Sequence, residues 1–198
     1  MKEKTRKKIL EVAAMLFEKY GFHKTSMDEI ARTAKKAKGS LYYHFSSKEE
    51  LFTEVVSLEF GHIESELVVI VENEKLNPVE KAKAYLMKRN QILSRSYNYH
   101  ETLKADFYER FEAINRLRHE LLEWEKKQMG KIIKQGIATG VFVKVENVEM
   151  ILDLFFMVLK GLEIPLFLQK KHTDYWPYLG DMINILLRAL TVQSQRVL

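Results

Sequence analysis

Residues 25–45 read TSMDEIARTAKKAKGSLYYHF, two short helices separated by a break. Ser26 with Glu29, or Thr25 with Asp28, has the spacing of a capping box that opens the first. Met27, Ile30, Ala31 and Ala34 give it one apolar face over about two turns. The chain breaks at Lys35–Lys36, and a second helix runs from about Ala37 to His44. Only Leu41 and Phe45 of that segment face inward. A helix with so little to bury is held by its neighbours and keeps a bare outer face, the shape that enters the major groove of duplex DNA. Lys38, Gly39, Ser40, Tyr42, Tyr43 and His44 would make that face. Lysine supplies charge for phosphates or guanine edges, Gly and Ser allow close approach, and tyrosine hydroxyls bond phosphate oxygens. The plainer readings are a solvated surface for Lys35–Lys38 and core aromatics for Tyr42 and Tyr43.

Upstream, Ile9, Val12, Ala13, Leu16, Phe17 and Tyr20 form a helical stripe, and Gly21 supplies its stop. Downstream, Ser46 or Ser47, with Glu49 or Glu50 three residues on, caps a fourth helix to about Glu72. Asn77–Pro78 opens a fifth, to roughly Tyr97. A shorter helix over Glu101–Glu112 and a longer one over Ile114–Gln135 follow, with Gly136 and Gly140 bracketing a turn. Asn147 opens a strongly apolar helix to about Gln169, with Pro165 near its end. Thr173 or Asp174 opens the last, to about Ser194. These nine helices, without a strand, predict an all-α chain. A three-helix helix-turn-helix domain spans 1–46, and a helix bundle spans 47–198.

Charge divides at the same place. Of 198 residues, 32 are Lys or Arg and 27 are Asp or Glu. Residues 1–50 hold 12 basic and 7 acidic residues, and the remainder holds 20 of each. The whole excess sits in the first quarter, as expected for a small polyanion-binding module on a neutral body. Lys2, Lys4, Lys7 and Lys8 read either as a solvated terminus or as a basic arm that touches DNA. With no cysteine there is no disulfide, thiolate metal site or cysteine nucleophile. The six histidines, at 23, 44, 62, 100, 119 and 172, form no metal-ligand spacing. No Gly-rich phosphate loop, nucleophile elbow or paired-carboxylate signature occurs, so neither an enzyme nor a cofactor is expected. Met150–Leu168 carries Asp153, Lys160, Glu163 and Pro165, a poor membrane span. The expectation is a soluble cytoplasmic protein without a targeting segment.

Residues 5–52 resemble the N-terminal domain of TetR/AcrR-type transcriptional regulators. The matching positions are Arg6–Ile9, Ala13–Ala14, Leu16–Phe17, Gly21–Phe22, Thr25–Ser26, Ile30–Ala31, Gly39–Phe45 and Ser47–Leu51. The resemblance implies that the Ala37–His44 helix reads DNA. Lys38, Ser40 and Tyr43 would lie nearest base edges. Tyr42, His44 and the hydroxyl of Thr25 at its helix N-terminus would meet phosphates, and Lys48 would clamp the backbone. It also implies a homodimer on a near-palindromic operator, acting as a repressor released by a small ligand. The sequence departs from the family at three positions, where Gly, an apolar residue and Ser or Thr are usual and Lys35, Lys36 and Ala37 stand. A positive φ costs a non-Gly residue roughly 1 kcal/mol, and a missing cap costs about the same. In exchange, Lys35 and Lys36 add charge for phosphates.

The rest of the chain supplies a dimer and a pocket. The helix near 147–169 is apolar nearly all round and needs cover on every side. The helix near 174–194, with Leu179, Met182, Ile183, Leu186 and Leu190 on one stripe, is its companion. Together they are expected to pair with a second copy, the alternative being a monomeric core. Tyr85, Met87, Tyr97, Phe107, Tyr108, Phe111, Trp124, Met150 and Phe156 read as a mostly apolar ligand pocket or as plain core. Arg89, Asn90, His100 or Asp106 could orient a polar group. Asp153 and Glu163 could partner a ligand, but Glu163 with Lys160 reads more readily as an exposed rim. Two other functions remain open from sequence: a helical carrier or enzyme with an incidental basic N-terminus, and a DNA-binding protein governed by a protein partner.

Overall fold

A computed structural model describes residues 2–104 and 111–192. Nine α-helices occur among them: α1 (Lys2–Tyr20), α2 (Met27–Thr33), α3 (Lys38–His44), α4 (Lys48–Val71), α5 (Pro78–Leu93), α6 (Tyr97–Thr102), α7 (Glu112–Ala138), α8 (Val148–Glu163) and α9 (His172–Leu190). The only β-pairing among the described residues is an isolated antiparallel bridge, Phe142–Thr191. The chain forms two compact units, Met1–Gly61 with Ser96–Arg118, and His62–Arg95 with His119–Leu198. They are called the head and the bundle below. Helices α4 and α7 contribute residues to both.

The head is organised by aromatic packing and by caps. Ile9, Ala13, Phe17, Ile30, Leu41, Leu51 and Phe52 are fully buried. Phe52 meets Phe17 edge-on at 5.1 Å between ring centroids and Phe22 at 5.0 Å, a geometry that favours aromatic pairs. Gly21 ends α1 at φ +82°, where a side chain would be strained. At the start of α2 the Ser26 hydroxyl accepts the Glu29 N–H at 3.2 Å, settling the choice between Thr25 and Ser26. At the start of α4, Ser47 accepts the Glu50 N–H at 3.1 Å. The Glu50 carboxylate accepts from the Ser46 hydroxyl and N–H, and these bonds hold its pKa below the ordinary value.

The bundle opens on a complete capping box. Asn77 accepts the Val79 and Glu80 N–H groups, and Glu80 accepts the Asn77 N–H. Helix α5 stops at Leu93, and α6 covers Tyr97–Thr102; the helix expected over Glu101–Glu112 falls largely on residues 105–110, outside the described residues. Helix α7 continues through Gly136 to Ala138. Gly136 therefore does not bracket the turn; a Cβ there would overlap the Phe142 ring, so its missing side chain serves close packing. Helix α8 widens after Glu163 into one π-helical turn, Ile164–Leu168. Pro165 has no N–H to continue the α pattern, and Gln169 N–H bonds Ile164 five residues back at 3.1 Å.

Charge lies at the centre of the bundle. Arg89 of α5, 2 % exposed, donates Nε to Glu125 Oε1 at 2.5 Å and Nη2 to Glu163 Oε1 at 2.7 Å. Lys160 Nζ stands 3.2 Å from Glu163. Glu163 is 1 % exposed, so the expectation of an exposed rim is overturned: the guanidinium of α5 compensates its charge inside. The outer surfaces of α8 and α9 are the reverse. Met157 of α8 and Ile185 of α9 are each 67 % exposed, and Val158, Leu154 and Tyr178 are also exposed.

Candidate nucleic-acid interface

The turn before α3 retains its geometry despite the wrong residues. Lys35 adopts φ +54°. Its N–H bonds Arg32 O at 3.1 Å, and Lys36 N–H bonds Ala31 O at 2.9 Å. This is the Schellman pattern that glycine normally serves, built on lysine at the expected strain. Ala37 stands at the N-cap of α3 with no side-chain hydrogen bond. Neighbours hold the helix instead. Leu41 and Phe45 are buried, and Lys38 Nζ pairs with Asp28 of α2 at 2.7 Å.

The outer face of α3 is bare. Tyr42 is 44 % and Tyr43 65 % exposed. Nothing lies within 4 Å of where a Gly39 Cβ would stand. Ser40 and His44 are half-buried, and the His44 ring lies edge-on to Tyr43 at 5.2 Å. Lys35 is exposed and Lys36 half-buried. The Lys38–Asp28 pair raises the Lys38 pKa, which keeps that ammonium charged. The Tyr43 hydroxyl contacts Lys2 Nζ at 2.6 Å, bringing the first turn of α1 against this face. These residues form one polar, cationic surface with little to bury and much to donate.

Two expected contacts differ. Thr25 is 1 % exposed, and its hydroxyl donates to Gly21 O at 2.9 Å and Leu16 O at 3.3 Å. That hydroxyl is not open to a phosphate. Lys48 is half-buried, and its Nζ donates to Phe22 O at 3.0 Å and Thr25 O at 3.1 Å, over the Phe22 ring. Both residues grip the corner that positions α2. Glu101 of α6 grips it too, accepting the Phe22 N–H at 3.1 Å and pairing with Lys104. Nothing in sequence singles out Glu101, whose partner lies 79 residues away.

The bundle holds a cavity of about 250 Å³. Ala82 and Leu86 of α5, Met129 and Ile133 of α7, Ile151, Leu152 and Phe155 of α8, and Leu186, Leu187 and Leu190 of α9 line it, with Phe142 and Val143 of the connection between α7 and α8. None of the predicted pocket residues that the structure describes is among them. Tyr85 and Phe156 are buried, Met87 and Trp124 half-buried, and Met150 57 % exposed. Phe111 packs on Phe22 in the head at 5.4 Å. Tyr97 is exposed. Asp106, Phe107 and Tyr108 lie outside the described residues. Of the polar candidates, Arg89 is in the buried ion cluster, and Asn90 donates to Leu86 O at 3.0 Å. His100 stacks edge-on with Tyr97. Pairs such as Ala82/Leu86 and Met129/Ile133 share a helical face, but so do all core pairs, and no sequence signal separates cavity wall from core. Among the described residues no group of three His, Cys, Asp or Glu is disposed to hold a metal, and no helix is long and apolar enough to cross a membrane.

Comparison with known proteins matches the segment that carries this surface. Residues 9–55 match the family described as bacterial regulatory proteins, tetR family. The HTH-type transcriptional regulator QacR of Staphylococcus aureus is 30 % identical over 137 residues, covering 67 % of this chain and 71 % of QacR. The HTH-type transcriptional repressor KstR2 of Mycobacterium tuberculosis is 28 % identical over 141 residues, 69 % of this chain and 68 % of KstR2. In fold, the chain is similar to the transcriptional regulator FadR of Bacillus subtilis, crystallised with stearoyl-CoA. The TM-score is 0.71 at 18 % identity, over 93 % of this chain and 97 % of FadR. A bare reading helix that follows α1 and α2 in the head, in a chain matched in sequence and fold, makes this chain a DNA-binding transcriptional regulator that belongs to the tetR family of bacterial regulatory proteins.

Proposed function

We propose that two copies of this chain repress transcription by gripping a near-palindromic operator, and let go when a small, mostly apolar ligand enters the bundle. The observation that carries this reading is the exposed face of α3, where Tyr42, Tyr43 and Gly39 stand clear of the head's own core. Lys38, Ser40 and Tyr43 face the bases; Tyr42, His44, Lys35 and Lys36 take phosphates; Gly39 allows close approach. Thr25 and Lys48 hold the corner before α2, and so set the angle of α3 rather than bind the backbone with their tips.

The exposed apolar faces of α8 and α9 support pairing with a second copy. Two half-sites one duplex turn apart require two reading helices about 34–36 Å apart, which a dimer supplies. The apolar cavity supports a hydrophobic effector, and the stearoyl-CoA held by FadR supports an elongated one. Such a ligand acts by binding one arrangement of the dimer better than another. The protein works in the cytoplasm, without catalysis or a cofactor. Selection from a random duplex pool tests the reading. It is expected to recover an inverted repeat, with Tyr43→Ala lowering affinity for it by about tenfold or more, the scale of one base contact. Recovery of no preferred sequence would overturn it.

A further inference from the structure

Helix α1 carries charge that the reading helix does not use. Lys4, Lys7 and Lys8 have the i, i+3, i+4 spacing that places residues on one helical face. With Lys36 from the turn before α3 they line a groove of about 480 Å³, completed by Thr5 and Glu11. Four lysines there meet one acid. That acid, Glu11, stands 3.7 Å from Lys8, with both side chains largely exposed. Lys4, Lys7 and Lys36 have no ion pair among the described residues. Packing needs none of this: like charges on neighbouring turns repel, and the three α1 lysines point into solvent.

The groove is tied to the reading surface at two points. Lys36 lies one residue before the N-cap of α3. Lys2, in the first turn of α1, contacts the Tyr43 hydroxyl at 2.6 Å and stands 5.1 Å from its ring centroid. A duplex that admits α3 thus passes along the first turns of α1. Lys4 and Lys8 sit about one 5.4 Å helical turn apart. Their charge is strung along a line, which suits a run of phosphates better than a single anion.

We infer that the groove formed by Lys4, Lys7, Lys8 and Lys36 is a second phosphate-binding surface, which takes the DNA backbone beside the segment read by α3 and adds affinity without sequence preference. The inference rests on duplex binding and can fail while reading by α3 stands. A mixed-sequence 30-base-pair duplex is the probe, with affinity measured across a salt series. Each phosphate contact adds about 0.9 to the slope of log affinity against log salt. The triple variant Lys4→Gln, Lys7→Gln, Lys8→Gln leaves the α3 face and its turn intact. Its slope is expected to fall by about 2–3, so that between 50 and 200 mM salt it loses roughly 16- to 64-fold less affinity than the wild type. The three-arginine variant at the same positions keeps the wild-type slope. Three exposed bundle lysines, Lys75, Lys83 and Lys144, changed to Gln, provide the same net charge change away from the groove and leave the slope unaltered. An unchanged slope in the triple variant, an equal fall in the bundle control, or a fall in the arginine variant would each overturn the inference.

Discussion

Head and bundle dispose of charge and grease in opposite ways. In the head, Phe17, Phe45 and Phe52 are buried, and Lys35, Lys38 and Tyr43 face solvent. In the bundle, Arg89, Glu125 and Glu163 are buried, and Met157, Val158 and Ile185 face solvent. An apolar interior with a cationic skin suits a unit that folds on its own and meets a polyanion. Exposed apolar stripes are the kind of surface that marks an interaction site. The difference teaches that overall composition, near-neutral beyond residue 50, hides two kinds of surface.

The largest break in this contrast comes from charging the bundle's apolar skin. Val158→Asp is expected to leave a folded monomer by light scattering and to lower operator affinity about 10²- to 10⁴-fold, the avidity lost with the second half-site. Next comes the buried charge. Arg89→Met leaves two buried glutamates with Lys160 as their nearby cation, at a cost of about 3–5 kcal/mol in chemical denaturation. If Glu163 lay on a solvated rim, the loss would be far smaller.

The head offers subtler tests. Lys35→Gly relieves a positive φ and is expected to stabilise by roughly 1 kcal/mol, while flattening the salt dependence of DNA binding by about one phosphate contact. Opposite signs from one substitution separate the strain from the charge; an unchanged salt slope would assign Lys35 to the turn alone. The smallest effect concerns pH. Burial raises the Glu59 carboxyl above its usual value, outweighing hydrogen bonds from Asn98, the Tyr99 N–H and Ser96. An acid whose pKa is raised by folding destabilises the fold where it is ionised, and that cost is relieved as pH falls through the folded value. Glu59→Gln is therefore expected to raise the melting temperature at pH ~8, with the gain shrinking towards the unfolded carboxyl value near pH ~4.3. Melting curves of both proteins across that range check it, and a pH-independent gain would remove ionisation as the cause.

The head was largely legible in the sequence because its determinants are local. Gly21, the Ser26 cap and the Leu41/Phe45 pair each act within a few residues. Even the strain at Lys35 and the empty cap at Ala37 could be foreseen, from the resemblance to the family, whose usual Gly and Ser or Thr they replace. The bundle's helices and their Asn77 and Asn147 caps were legible for the same local reason, but its interior was not, because the determinants there are distant. Arg89 meets Glu163 across 74 residues, and a glutamate on an apolar helix gives no sign of a guanidinium on another. The same holds for Thr25, whose hydroxyl suits a phosphate by type but finds Gly21 O by position. The cavity was not legible because its mostly apolar wall looks like any core, and the described residues among those that drew attention are not part of it.

The contact between Gly136 and Phe142 has a consequence for what the bundle can hold. Phe142 covers Gly136 on one side and lines the cavity on the other. The ring is thus a cavity wall seated on a position without a side chain. A methyl group at position 136 would stand 2.0 Å from the Phe142 ring, so adding one carbon there would force that wall to shift and reshape the cavity.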